Sequence, residues 1–309
     1  FRGMTIAFMI IVNNPGSWGH VYGPLLHAKW HGCTPTDLVF PFFLFLVGAS
    51  MRFAFVKWHY FPSNDFYKHI FWRTFSIFMA GIILNAYPFI RQDWDWSTFR
   101  VFGVLQRIAL AYGISALLII RFDFKQMTQI LVGILLFYWG LLWLGVSSDP
   151  YSLEANLVRK LDILILGEKH LYRGFGVYFD PEGLLSTIPS VGTVIIGYLM
   201  GGMLHTTKNY TDCSKRMAIF GLAITILGYI WGFIFPINKA IWTSSYVLFT
   251  GGIAAIILSF LTYLINIKHW IAGGENGVTL VFVGQKKNCL LYTSPSPRDL
   301  STARMPSSA

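Results

Sequence analysis

The residues best equipped for chemistry lie close together near the start of the chain. Residues 12–50 read VNNPGSWGHVYGPLLHAKWHGCTPTDLVFPFFLFLVGAS and hold three of the eight histidines, His20, His27 and His31. Two amides, Asn13 and Asn14, stand at one end of this stretch, and Asp37 opens the apolar run at the other. Histidine is the usual general base near neutral pH, and a carboxylate often fixes its tautomer. A His/Asp pair beside amide donors can perform acyl transfer. Three histidines and an aspartate also offer enough ligands for a metal. The spacing His20-x6-His27-x3-His31 is not specific to one, so no metal is expected. A plainer role for Asp37 exists as well. With Thr34 or Thr36 it can start a helix, where the N-terminal dipole favours a negative charge.

Charge inside the apolar runs is the second chemical signal. Arg107 falls about one turn inside such a run, in GVLQRIAL, and an arginine there is costly enough to be read as functional by default. It can grip an anionic substrate group or pair with a helix acid. Asp180, Glu182 and Thr187, in FDPEGLLSTIPS, precede another run and can shape a pocket or form a proline-bounded turn and cap. Asn238 and Lys239 carry the same ambiguity.

The elements that must position these groups follow from composition. Of 309 residues, 54% are hydrophobic and 12% charged, against about 25% charged in ordinary soluble domains. A bilayer-spanning helix needs roughly 20 mostly apolar residues. Eight spans are predicted, at 1–12, which reads as truncated, and at 38–56, 69–90, 103–120, 130–146, 187–204, 217–236 and 242–265, with 277–284 a candidate ninth. Lipid offers backbone groups no hydrogen-bond partner, so all should be helices. The fold class is therefore all-α, a polytopic transmembrane bundle. A long polar loop separates the fifth span from the sixth. Gly192, Gly197, Gly201, Gly202, Gly251 and Gly252 fit close helix packing in lipid.

Loop charge sets the expected orientation. Arg52, Lys57, Lys68 and Arg73 surround the second connection, Arg121 and Lys125 the fourth, and Lys208, Lys215 and Arg216 the sixth. These short basic connections are expected in the cytoplasm. The third connection mixes Arg91 and Arg100 with Asp93 and Asp95, the long fifth mixes both signs, and both are expected outside with His27. Trp94, Trp96, Trp242 and Tyr246 fit an aromatic belt at that face. The net charge of +10 does not indicate nucleic acid, because the basic residues are scattered between apolar runs. Cys33 and Cys213 fall on opposite faces and should not pair.

FRGMTIAFMIIVNNPG, LLHAKWHGCTPTDLVFPFFLFLVGAS, GVLQRIALAYG, FDPEGLLSTIPS and PINKAIWTSSYVLFTGG occur in this order. Together they resemble the heparan-α-glucosaminide N-acetyltransferase family of membrane acetyltransferases and its bacterial relatives. The resemblance runs from residue 1 to about 288, and its HA-x-W-x-G-x-T-x-x-DLVFP block is long and specific. It implies transfer of acetyl from acetyl-CoA to an amino sugar or sugar on the far side of a membrane. By motif match, the family's active histidine corresponds to His27, its asparagine to Asn13 and its aspartate to Asp37. The phosphates of coenzyme A need cations, for which Arg2, Arg52, Arg73 and Arg107 are the candidates; positive-inside anchoring is the favoured reading of the first three. The resemblance implies a multi-pass protein of a bacterial inner membrane, with lipid and a sugar acceptor as partners, no nucleic acid, and a homodimer open. Animal members carry an extra luminal domain, of which no sign appears.

Residues 1–288 are thus expected to form an incomplete transmembrane domain, followed in the natural chain by further helices. Residues 289–309, with CLLYTSPSPRD and RMPSSA, read as a translated sequencing adapter and are expected to be a disordered, non-native tail. A transporter for a small polar solute is the alternative from another class, and an envelope sugar O-acyltransferase differs only in its acceptor. A carrier would more naturally place its site near the bilayer midplane on broken helices.

Overall fold

The computed structural model describes residues 1–17, 19–55, 63–87, 96–145, 149–207 and 209–267. Nine α-helices and no strands are found among them. In order they are α1 (Arg2–Asn13), α2 (Val39–Ala54), α3 (Asn64–Ala86), α4 (Val104–Arg121), α5 (Phe124–Leu144), α6 (Leu157–Leu166), α7 (Thr187–Thr206), α8 (Tyr210–Trp231) and α9 (Ser244–Thr262). Seven are long and apolar enough to cross a membrane: α2 with its lead-in from Pro35, α3, α4, α5, α7, α8, and α9 extended to Ile267. The protein is a polytopic helical membrane protein. Each of the eight runs read as spans contains a helix among its described residues. The first, α1, has twelve residues, about 18 Å of helix, which is shorter than a bilayer core of about 30 Å. The stretches 277–284 and 289–309, together with Lys57, Arg91, Asp93, Trp94, Asp95 and Lys208, lie outside the described residues.

Several helices begin well before their apolar stretch does. Ser63 caps α3 by accepting from the Phe66 N–H. Asp123 and Gln126 form a capping box at the start of α5, and Asn209 accepts from Thr211 and Asp212 at the start of α8. The caps place a polar first turn on the helix, so α3, α5 and α8 start five to seven residues ahead of the hydropathy boundary. At the other end α8 stops at Trp231 rather than 236. The chain then folds through a turn in which Trp242 takes a positive φ of 50°, so α9 starts at Ser244 rather than 242.

The most buried helix is α7, packed between α2, α4, α5 and α9. It runs parallel to α2, with Phe45 against Gly197, Gly48 against Val194 and Tyr198, and Ala49 against Gly201. A β-carbon at Gly48 would strike the Val194 carbonyl, and one at Gly197 the Phe45 carbonyl. This is the small-residue packing that lets backbones touch where lipid gives no hydrophobic drive. Because the blocking atoms are backbone, they cannot step aside. Gly197→Val should therefore cost about 1–3 kcal/mol or more, read as a lowered thermal midpoint in detergent. The helices α8 and α9 interlock in the same way through Gly221, Gly228 and Gly252, and Ser214 and Ser259 exchange hydrogen bonds between them.

The long fifth connection is not a plain polar loop. It folds α6, capped by Asn156, whose side chain accepts from the Arg159 N–H. Val158 and Asp162, four residues apart, face inward. A second small core forms there from Tyr138, Leu142, Val158, Phe179, Phe235 and Ile241, with Trp30 packed against it. It roofs one end of the bundle. That end also carries the N-termini of α2, α4, α7 and α9. The basic residues Arg52, Arg121, Lys125, Lys215 and Arg216 gather toward the opposite end, as the charge pattern predicts.

Candidate active site

The roofed end holds a cavity of about 340 Å³, lined among others by His27, Trp30, Asp37, Arg100, Arg107, Tyr172, Phe175, Glu182, Lys239 and Trp242. Its centre is built by the sequence TPTD. Pro35 preorganises the first turn, and Thr34 and Asp37 form a capping box that leads into α2. Asp37 Oδ2 accepts from the N–H and Oγ of Thr34 at 3.1 and 3.0 Å, and from the Ala28 N–H at 3.1 Å. Asp37 Oδ1 is left for the cavity. It lies 2.6 Å from His27 Nδ1 and 3.2 Å from Lys239 Nζ. The plain and the functional readings of Asp37 therefore both hold, one on each oxygen.

This arrangement sets protonation. Two acceptors cannot sit 2.6 Å apart, so His27 Nδ1 carries the proton donated to Asp37, and in the neutral ring Nε2 is the nitrogen with the lone pair. A carboxylate with donors on both oxygens has no site for a proton of its own. Its side chain is 1% exposed, whereas that of His27 is 57% exposed and open to the cavity. Tyr246 Oη adds a 2.6 Å bond to the Asp37 carbonyl and ties this turn to α9.

The facing wall is the turn 180–186, gripped from three sides. Arg100 meets Asp180 in a bidentate pair at 2.8 and 2.7 Å and reaches Glu182 at 2.6 Å. Burial alone would lower the Arg100 pKa, but the two carboxylates outweigh it and hold it above its ordinary value. Arg107, fully buried in the first turn of α4, donates to the carbonyls of Pro181 (2.7 Å) and Gly183 and to Ser186 Oγ. Its guanidinium lies 5.0 Å from the Trp242 ring centre. Asp162 Oδ1 accepts from the Leu184 N–H at 3.1 Å.

Asp162 is buried on α6, and its second oxygen has no hydrogen-bond partner. Burial, helped by Asp180 and opposed by the Leu184 N–H and Arg107, pushes its pKa up to about 7. The folded protein thus holds a proton that the unfolded chain releases near pH 4. This contribution to stability is complete below about pH 4 and is lost as pH rises through about 7. Asp162→Asn removes the titration. The gap in thermal midpoint between variant and wild type should move in the variant's favour from pH 5 to pH 8. A gap that stays constant with pH would rule this out.

The structure brings together His27, Asp37, Arg107 and the 180–186 turn, but not every residue singled out in the sequence. Asn13 is exposed at the end of α1, where its Nδ2 donates to Met9 O at 2.9 Å, and it does not line the cavity. Arg52 donates to Tyr198 Oη at 3.0 Å in the last turn of α2, about 22 Å along the helix from Asp37. Arg73 lies 5.1 Å from the Tyr112 ring and Arg2 5.9 Å from the Phe43 ring. Arg107 therefore does not join Arg52 in one anion site. His20 is exposed. His31 instead meets Asn238 at 3.4 Å, and burial lowers its pKa against the pull of Asp149. Among the described residues no group of three or more His, Cys, Asp or Glu could hold a metal ion. Cys33 and Cys213 are free thiols. Burial, then Asp37, pushes Cys33 up to about 12, so it stays protonated and is no nucleophile. Thr187 is buried, with its Oγ bonded to the Gly183 carbonyl at 3.0 Å.

Arg100 and Lys239 are the site residues least legible in the sequence. Arg100 finds its partners 80 and 82 residues away and Lys239 finds Asp37 at 202, so local spacing carries no trace of either.

Taken together, fold and site define a multi-pass membrane protein with a roofed His–Asp cavity at one end of its helical bundle. No family model matches the sequence. The chain is similar to heparan-alpha-glucosaminide N-acetyltransferase from Homo sapiens, 27% identical over 347 aligned positions covering 93% of this chain and 52% of that protein. The Mus musculus protein of the same name matches at the same identity and coverage. The chain spans about half the length of these curated relatives.

Proposed function

We propose that the protein transfers an acetyl group from acetyl-CoA to an amino sugar or sugar on the non-cytoplasmic side of a bacterial inner membrane. The observation that carries this is the 2.6 Å contact between His27 Nδ1 and Asp37 Oδ1, which leaves Nε2 free at the cavity. Basic residues at the opposite end of the bundle support an outward-facing site. Coenzyme A is made in the cytoplasm, and Arg52, Arg73 and Arg2 are the cations proposed to hold its phosphates.

Two routes use the same residues. In the first, Nε2 attacks the thioester carbon: a C–N bond forms, the carbonyl π pair moves to oxygen, and on its return the C–S bond breaks with its pair on sulfur. The acceptor amine or hydroxyl then attacks the acetyl carbon, the C–N bond breaks with its pair on Nε2, and that pair takes the acceptor's proton. In the second, the acceptor attacks directly and its proton passes to Nε2. Asp37 holds the ring's tautomer in both. The cavity's aromatic walls, Trp30, Tyr172, Phe175 and Trp242, suit the apolar face of a sugar ring, and the carboxylate of Glu182 suits its polar substituents.

The test is a sealed vesicle with labelled acetyl-CoA on the cytoplasmic face and glucosamine on the other. Label appearing in the sugar supports acetyl transfer. Unmodified glucosamine crossing the membrane supports a carrier instead, and overturns the proposal. Repeating the assay with a panel of sugars separates N- from O-acetylation.

A further inference from the structure

We propose that Lys239 is a further catalytic residue of this site, the cationic donor to the acetyl carbonyl oxygen as negative charge builds there. The inference rests on acetyl transfer at His27.

Asp37 does not depend on Lys239 alone. A carboxylate offers about four acceptor sites. The N–H groups of Ala28 and Thr34, Thr34 Oγ and His27 Nδ1 already supply four donors. Lys239 Nζ makes its one bond to Asp37 Oδ1 at 3.2 Å and stands 3.2 Å from His27 Nδ1. Nδ1 carries a proton, so it cannot accept from the ammonium. Two of the three Lys239 N–H groups are therefore left for whatever fills the cavity that the residue lines.

The chain is built to hold the ammonium there. Asn238, fully buried, accepts the N–H groups of Ala240 and Ile241 at 2.7 and 3.1 Å, and its own N–H donates to Thr243 Oγ at 3.0 Å. Trp242 takes a left-handed φ of 50°, a conformation non-glycine residues seldom adopt. The Gly32 N–H donates to the Ile237 carbonyl at 2.7 Å, fastening this turn to the segment that carries His27. Such a turn fixes one side chain against one ring. The amide of Asn13 is engaged with its own helix, so Lys239 is the donor beside the imidazole. In the transfer step, the nucleophile's pair forms the new bond to carbon while the carbonyl π pair moves to the oxygen facing Lys239. That pair returns as the C–S bond breaks and the thiolate leaves.

The experiment compares Lys239→Ala, Lys239→Gln and His27→Ala in the full chain, with acetyl-CoA and glucosamine as substrates. Loss of one such donor typically costs ~10²–10³ in kcat. Both Lys239 variants should fall by that factor, with KM for glucosamine within about threefold of wild type. Added ethylammonium should restore at least tenfold of the loss in Lys239→Ala and nothing in His27→Ala. A Lys239→Gln protein with near wild-type kcat overturns the proposal, as does a loss in Lys239→Ala that ethylammonium does not recover. A fully active His27→Ala instead removes the reading on which the proposal rests.

Discussion

Replacing His27 with alanine should lower acetyl transfer by about 10³-fold or more while leaving the fold in place. The ring is more than half exposed, and Asp37 keeps its other four donors when it is gone. Stability should therefore change by no more than about 0.5 kcal/mol, as for a surface substitution. The thermal midpoint in detergent and the rate of label transfer, measured on one preparation, separate the two effects. Activity within tenfold of wild type would take the imidazole out of the chemistry. Rapid quenching of the wild-type protein with labelled acetyl-CoA, and no acceptor, then distinguishes the routes. Label held on the protein and absent from His27→Ala marks the acetyl-imidazole relay.

Changes at Asp37 should behave differently, because its two oxygens serve different ends. Asp37→Ala removes the cap of the α2 lead-in, worth about 1 kcal/mol. It also strands the half-buried N–H groups of Ala28 and Thr34, each costing about 1–3 kcal/mol, and separates Lys239 from its carboxylate. The expected total is about 3–7 kcal/mol, with activity lost as well. Asp37→Asn keeps an acceptor oxygen for the capping side. It should recover most of the stability and still lose about 10²–10⁴ in kcat, since an amide cannot hold the imidazole and the ammonium as a carboxylate does. If Asp37→Asn were as unstable as Asp37→Ala, the division between the oxygens would be wrong. If it retained wild-type kcat, the carboxylate would have no part in the reaction.

Much of this bundle is readable from residue order. Runs of about twenty apolar residues admit one backbone solution in lipid, so the helices and their alternating directions follow. The glycines flagged for close packing do meet neighbouring helices, as at Gly197 and Gly252. Helix ends are harder, because Ser63, Asp123 and Asn209 add polar turns that a hydropathy pattern does not register. The helix α6 is hidden for a similar reason. Its buried face includes an aspartate, and mixed charges around it read as loop. At the site, the His27–Asp37 pair is legible because both residues lie in one short segment. Arg100 and Lys239 are not, since their meaning depends on carboxylates brought near only by the packed helices. Arg107 signals importance through the cost of burying it, but only the structure shows that it clamps backbone carbonyls of the turn 180–186.

The helices α2, α4, α7 and α9 all start at the roofed end. Each peptide dipole points its positive end toward the helix start, so four partial positive charges of about half an elementary unit converge around one chamber. An electron-rich species formed in the chamber is stabilised by the helix starts beside it. The starts of α1, α3, α5 and α8 lie at the other end, so the dipoles of the whole bundle largely cancel, and the stabilisation is local to what forms beside the four helix starts at the chamber.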